Sequence, residues 1–119
     1  MANVETSVIA WLQALVGSGW PVSGDKPKTL PVKFILVDRT GGPREAMVLD
    51  RAEILIEVYH KDSRITASDL ANEIADAIIG LEAYSDNITH AVVNSVVNLD
   101  DTLAQYHRYQ IYCDVYNRR

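Results

Sequence analysis

The chain has 119 residues, 48% of them hydrophobic and 23% charged, with a formal net charge of −5. That length and apolar content suit one globular domain over residues 1–119, with enough chain to bury a single core. The acidic balance argues against a protein that grips nucleic acid through its phosphates, and the ordinary charged fraction argues against wholesale disorder.

In chain order, Asn3 is placed to cap a helix over residues 4–16. Val4, Val8, Trp11, Leu12 and Leu15 recur at spacings of three and four, which is one helical face. Gly17 is a natural stop. Residues 17–31 form a connector whose three prolines and three glycines exclude a regular element. Trp20 and Leu30 are odd on a free loop, so part of it is expected to pack back or meet a neighbour. Residues 32–39 read as a strand with Phe34 and Leu36 on one face and Ile35 and Val37 on the other, so both faces are expected to be covered. After Thr40-Gly41-Gly42-Pro43 comes a second strand-like run over residues 45–60, with a bulge or bend expected at Asp50-Arg51. Ala52, Ile54, Ile56 and Val58 share one face of it; Glu53, Leu55, Glu57 and Tyr59 share the other.

A capping box at Thr66/Asp69, or a cap at Ser68, predicts a second helix over residues 67–81. Its inner face carries Leu70, Ile74, Ile78 and Leu81, widened by Ala71, Ala75 and Ala77. Asp69, Glu73 and Asp76 fall on its wet side. Residues 90–99 alternate as a strand with Ala91, Val93, Val97 and Leu99 inward, and Asp100-Asp101-Thr102 makes the turn. The last strand runs over residues 105–116, with Tyr109, Ile111, Cys113 and Val115 on one face and Arg108, Gln110, Tyr112, Asp114 and Tyr116 on the other. The order α-β-β-α-β-β predicts an α+β fold: a four-stranded, mainly antiparallel sheet with two helices packed on one face.

Charge is uneven along this order. Between Glu53 and Asp101 the basic side chains are Lys61 and Arg64, whereas residues 26–51 are mildly basic. Such asymmetry lets one face of a subunit meet a different face of an identical copy; solvated surface charge is the plainer alternative. The one cysteine, Cys113, excludes an internal disulfide and the paired-cysteine zinc patterns, and fits a reducing compartment. No basic segment leading into an apolar run opens the sequence, and no apolar run approaches the roughly 20 residues that cross a bilayer. Neither a secretory signal nor a membrane span is therefore expected.

No constellation carries chemistry. The stretch Asp38-Arg39-Thr40-Gly41-Gly42-Pro43-Arg44-Glu45 lacks the lysine and the following helix of a phosphate loop, and Pro43 removes a donor. Its glycines suit a tight hairpin turn instead. His60, His90 and His107 lie at strand ends or edges, without the spacing that gathers metal ligands on one helical face. Cys113 is expected to be buried and inert. Glu53 and Glu57 share a strand face roughly 13 Å apart, too far for a cooperating acid/base pair. The tyrosines near the C-terminus lack the surrounding basic residues of an RNA-binding sheet, and neither helix has the basic face of a membrane-surface helix. No catalytic residue, cofactor site or metal site is assigned, and an enzyme is not expected.

The chain resembles the tail terminator proteins of long-tailed phages, also called tail completion or head–tail joining proteins. The resemblance spans about residues 3–117. Its carriers are the early helix, the hairpin V-K-F-I-L-V-D-R-T-G-G-P-R, the strand A-E-I-L-I-E-V-Y and the helix A-S-D-L-A-N-E-I-A-D-A-I. The closing H-R-Y-Q-I-Y-C-D-V is similar to the family's terminal P-R-Y and alternating strand, with His107 standing where proline is common. The resemblance implies a virion protein, assembled in the host cytoplasm, that forms a ring with itself, typically a hexamer. The ring caps the tail tube protein, stops its polymerisation and joins the tail to the head connector. DNA passes through without specific binding, and no cofactor or membrane is involved. On this reading Arg39, Gly41, Gly42 and Arg44 contact a neighbouring subunit or the tube, and Glu53, Glu57 and Asp114 line the lumen. The competing expectation is a small α+β ligand-binding or regulatory domain that dimerises through its sheet, with a pocket between helix and sheet.

Overall fold

The structure, a computed structural model, describes residues 4–41, 49–84 and 88–118. The elements are α1 (Val4–Val16), β1 (Val22–Ser23), β2 (Lys33–Gly41), β3 (Leu49–His60), α2 (Arg64–Ala77), a 3₁₀ turn (Ile78–Gly80), α3 (Leu81–Tyr84), β4 (Ile88–Asn98) and β5 (His107–Arg118). The strands form one sheet in the order β1-β2-β3-β5-β4, with β1 parallel to β2 and the other pairs antiparallel. The fold is α+β as expected, but the sheet is five-stranded and mixed, not four-stranded.

The extra strand comes from the connector that its prolines were expected to keep irregular. They flank the pairing instead of interrupting it. Pro21 supplies only its carbonyl, which accepts from Ile35 N at 2.8 Å, so its missing N–H costs nothing there. Gln13 of α1 fixes the segment: its amide donates to the Gly17 and Trp20 carbonyls at 2.7 and 3.1 Å, and its oxygen accepts from Val22 N at 3.3 Å. Trp20 is buried in the main core and Leu30 packs on a second cluster, so the connector does fold back.

The core lies between the helices and one face of the sheet. Val8 and Leu12 of α1 and Ala67, Ala71 and Ile74 of α2 meet Ile35, Val37, Ile54, Ile56, Ile111 and Val115, all with no more than 1% exposure. The alanines let α2 approach the sheet closely. The stripe on α1 ends a turn early, since Leu15 is exposed. Gly17 then stops the helix at φ 76°, its N–H donating to Gln13 O at 3.0 Å. Asn3 lies outside the described residues.

Helix α2 starts three residues earlier than the Thr66 cap predicts. Ser63 is the N-cap, accepting from Thr66 N at 3.1 Å, and the extra turn carries Ala67 into the core. His60 steers the chain into that cap by accepting from Asp62 N and Ser63 N at 3.1 and 3.0 Å through Nδ1. At its other end the helix tightens into the 3₁₀ turn at Gly80 before Leu81.

Bulges also differ from expectation. The β3–β5 register runs unbroken from Leu49↔Arg118 to His60↔His107, so there is no bulge at Asp50-Arg51. The irregularity sits across the hairpin instead, where Thr40 is the extra residue between Arg39↔Ile54 and Gly41↔Glu53. Strand β4 has two register shifts of its own, at Ile88/His90 and Val93/Ser95, and the latter inverts the alternation of the rest of the strand. Ala91 and Val93 point to the core as expected. Val97 now pairs with Gln110 on the opposite face, and Val97 and Leu99 are exposed. Strand β5 begins at His107, because Gln105 adopts φ 61° in the preceding turn.

Replacing Ser63 by alanine is expected to cost about 1 kcal/mol in urea unfolding, and Ser68→Ala less than about 0.5 kcal/mol. Equal losses would contradict the assignment of the cap.

Candidate functional site

The face of the sheet away from the helices carries the residues singled out from the sequence, because alternation sends Glu53, Glu57, Arg108, Gln110, Tyr112 and Asp114 there together. It has two zones.

Near the β4–β5 turn the face is closed. Phe34 stacks on Tyr59 with ring centroids 4.4 Å apart, and Tyr106 meets both edge-on at 5.6 and 6.1 Å. Tyr106 is not a strand residue: it anchors the turn, donating its hydroxyl to Pro31 O at 2.6 Å. Lys26 bridges to Asp101 at 3.5 Å and so ties the connector to the same turn. Arg108 lies over Tyr59, with its guanidinium 5.8 Å from the ring centroid. It donates to Leu99 O at 2.8 Å and to Tyr59 Oη at 3.4 Å, and stands 3.4 Å from Glu57 Oε2. That carboxylate oxygen also accepts from Gln110 at 3.0 Å and from Tyr59 at 3.4 Å, and Gln110 in turn accepts from Tyr112 at 3.1 Å. Burial pushes the Tyr59 phenol up, against the opposing pull of Arg108, so the network is built from a neutral phenol and a charged guanidinium. Glu57 is thereby the acceptor at the centre of a packed polar network, with a side chain only 15% exposed.

Toward the opposite end the face is open. Glu53 and Asp114 stand directly opposite each other on β3 and β5, an arrangement of like charges that weakens a sheet. With Thr40, Asn94 and Tyr112 they ring an open depression of about 260 Å³, floored by Ile54 and Cys113. Two of the three register shifts, at Thr40 and near Asn94, fall on its rim. The Glu53 carboxylate lies against Gly41: a Cβ there would come within 2.9 Å of Glu53 Oε2. Arg39 donates from Nε to Gly41 O at 3.3 Å, bracing the Thr40 bulge. Gly42 and Arg44 lie outside the described residues. The structure therefore brings Glu53 and Asp114 together, sets Glu57 apart in its network, and places Arg39 and Gly41 at the neighbouring edge of the sheet.

Burial, reinforced by nearby Asp114, pushes the Cys113 thiol up to about 12, and its Sγ lies 3.5 Å from Ile54 O. It is no nucleophile at neutral pH. Among the described residues, no three of His, Cys, Asp and Glu gather closely enough to hold a metal ion, and no helix is long and apolar enough to cross a membrane. The exposed side of α2 carries Asp69, Glu73 and Asp76 as expected. The Arg108 network escapes sequence reasoning because it depends on β5 lying beside β3, which the two-hairpin order does not specify. Alternation alone marks its members as sharing a face.

No protein-family model matches the chain, and none of the curated proteins matches it in sequence. Among solved structures, a chain described as "Virion of native gene transfer agent (GTA) particle" is similar in fold. It superposes with a TM-score of 0.66 at 17% identity, over 92% of this chain and 86% of that one.

The turn that closes the aromatic zone is expected to respond to pH through Asp101. The Asp101 carboxyl is held below its usual value chiefly by the N–H of Ala104, at 3.1 Å, with Lys26 adding to it. A depressed folded-state value stabilises the fold above the ordinary carboxylate range, and that contribution is lost as pH falls through the folded value. Asp101→Ala is therefore expected to lower stability at pH 7 and to differ less from wild type as the pH drops below 3.8. A difference in unfolding free energy that stays constant across that range would contradict this.

Proposed function

We propose that the protein is a non-enzymatic structural component of a phage-like virion, and that it acts as a tail terminator: a ring that caps the tail tube and joins it to the head connector. The observation that carries this reading is the fold shared with a virion chain over 92% of the sequence, together with a sheet face left open and acidic. In the proposed ring the helices face outward and the open face looks into the lumen. Glu53 and Asp114 then line the channel, where carboxylates repel phosphates and let DNA slide without adhering. Glu57 shares that face but serves its network. Arg39 and Gly41, with Gly42 and Arg44 beyond them in sequence, form the contact to a neighbouring subunit or the tube. The acidic side of α2 and the basic stretch at residues 26–51 give one subunit two different charged surfaces, as a head-to-tail ring requires.

The regulatory-dimer reading draws less support. It calls for a pocket between helix and sheet, where α2 instead packs Ala67, Ala71 and Ile74 with no exposure. A two-fold dimer through the open face would also set Glu53 and Asp114 of one copy against those of the other.

Particles assembled without this chain are expected to yield overlong tails or tails without heads, scored by electron microscopy; normal tails joined to heads would contradict the proposal. In complete particles, Glu53→Lys with Asp114→Lys is expected to leave assembly intact and to cut DNA delivery by about tenfold or more through phosphate adhesion. Unchanged delivery would remove these residues from the lumen.

A further inference from the structure

We propose that His60 is a proton-operated latch on the first turn of α2: with a neutral ring it holds the link into the helix, and with a protonated ring it lets that link go. The geometry fixes which form the folded chain uses. Backbone N–H groups can only donate, and two of them, from Asp62 and Ser63, reach the same ring nitrogen, Nδ1, at 3.1 and 3.0 Å. Nδ1 is therefore unprotonated, and the ring carries its one proton on Nε2. The imidazole does here what an asparagine side chain does in an Asx turn, accepting from the backbone two residues ahead. Unlike an amide oxygen, this acceptor is abolished by a proton.

The surroundings give a protonated ring no carboxylate of its own. In the register of the sheet His60 stands directly between Lys33 of β2 and His107 of β5, whose side chains share its face. Lys33 Nζ lies 5.1 Å from the Trp20 ring centroid, and Trp20 meets His60 edge-on at 6.0 Å. His107 Nδ1 stands 3.6 Å from Asp100 Oδ2, so Asp100 answers His107 and not His60. Along the chain Lys61, Asp62 and Arg64 follow, all exposed. Asp62 meets the ring with its N–H, not its carboxylate. Among the described residues, His60 makes no ion pair.

The segment under the latch can move without the core. Asp62, Arg64, Ile65 and Thr66 are exposed, and the first residue of α2 seated in the core is Ala67, with no exposure. On the other side Lys61 N donates to Val32 O at 2.8 Å, a bond that the ring does not touch. A proton on Nδ1 therefore frees residues 62–66 and leaves both flanks anchored. Ser63, no longer held, gives up the cap that it offers to Thr66 N. Arg64 and Ile65, an exposed cation and an exposed isoleucine, ride on the freed segment, so the latch governs what that end of the subunit presents. None of this depends on the tail-terminator reading.

Nitrogen NMR of the isotopically labelled full chain, from about pH 8 down to about pH 5, tests it. At the upper end the His60 ring is expected to show a protonated Nε2 and a bare Nδ1. As the ring takes its second proton, the amide signals of Asp62, Ser63 and Thr66 are expected to move with it. Exchange of the Thr66 N–H with water, corrected for the intrinsic effect of pH, is expected to rise by at least about tenfold. His60→Asn keeps an acceptor that does not titrate, and is expected to hold the three amides at their upper-pH positions throughout. His60→Phe removes the acceptor, and is expected to show the fast Thr66 exchange at every pH. A proton on Nδ1 at the upper end overturns the latch, as does a ring that takes no second proton by about pH 5. Amides that stay still while the ring titrates, a response that persists in His60→Asn, or slow Thr66 exchange in His60→Phe would each overturn it too.

Discussion

The sheet has helices on one face only, yet each strand carries side chains on both. Much of the rest of the structure is a response to that constraint. On the helix side, Val8, Leu12, Ala71 and Ile74 meet the inward residues of four strands in one dry layer. On the other side the described residues form no second layer, and the chain improvises. The connector and the β4–β5 turn reach over one end, and Phe34, Tyr59 and Tyr106 form a small second core beneath them. Next to it the burial of Glu57 is tolerable because Arg108, Gln110 and Tyr59 all reach its carboxylate. Beyond that network the cover stops, and Glu53, Asp114 and Tyr112 border the open depression, with Arg51 and Tyr116 paired on the same face beyond them.

The parts of this arrangement that depend on period were legible in the sequence. The division of residues 32–39 into Phe34/Leu36 and Ile35/Val37 reproduces the two cores, and the faces of the β3 and β5 segments were readable residue by residue. What failed was what period cannot report. A one-residue insertion near Asn94 inverts every later side chain of β4, and nothing in V-V-N-S-V-V announces it. Strand β1 forms because Gln13, nine residues away, holds Val22 in place, which no local propensity encodes. The cap of α2 moved from Thr66 to Ser63 because His60 and Ser63 together satisfy the incoming N–H groups. The candidate site was half visible: alternation placed Glu53, Glu57 and Asp114 on one face. That Glu57 is enclosed while the other two oppose each other in the open required the β3–β5 pairing.

The proposed function rests on what the open face of the sheet offers. A like-charged pair kept at the surface of a sheet is a cost to the isolated subunit. It becomes useful if the face borders a channel for a polyanion.

The orientation of the subunit in the proposed ring is the central claim, and electron cryomicroscopy of the assembled particle tests it most directly. The account predicts that Glu53 and Asp114 border the opening and that α1 and α2 form the outer wall. An opening lined by Asp69, Glu73 and Asp76 of α2, or sheet faces packed against one another in pairs, would contradict it.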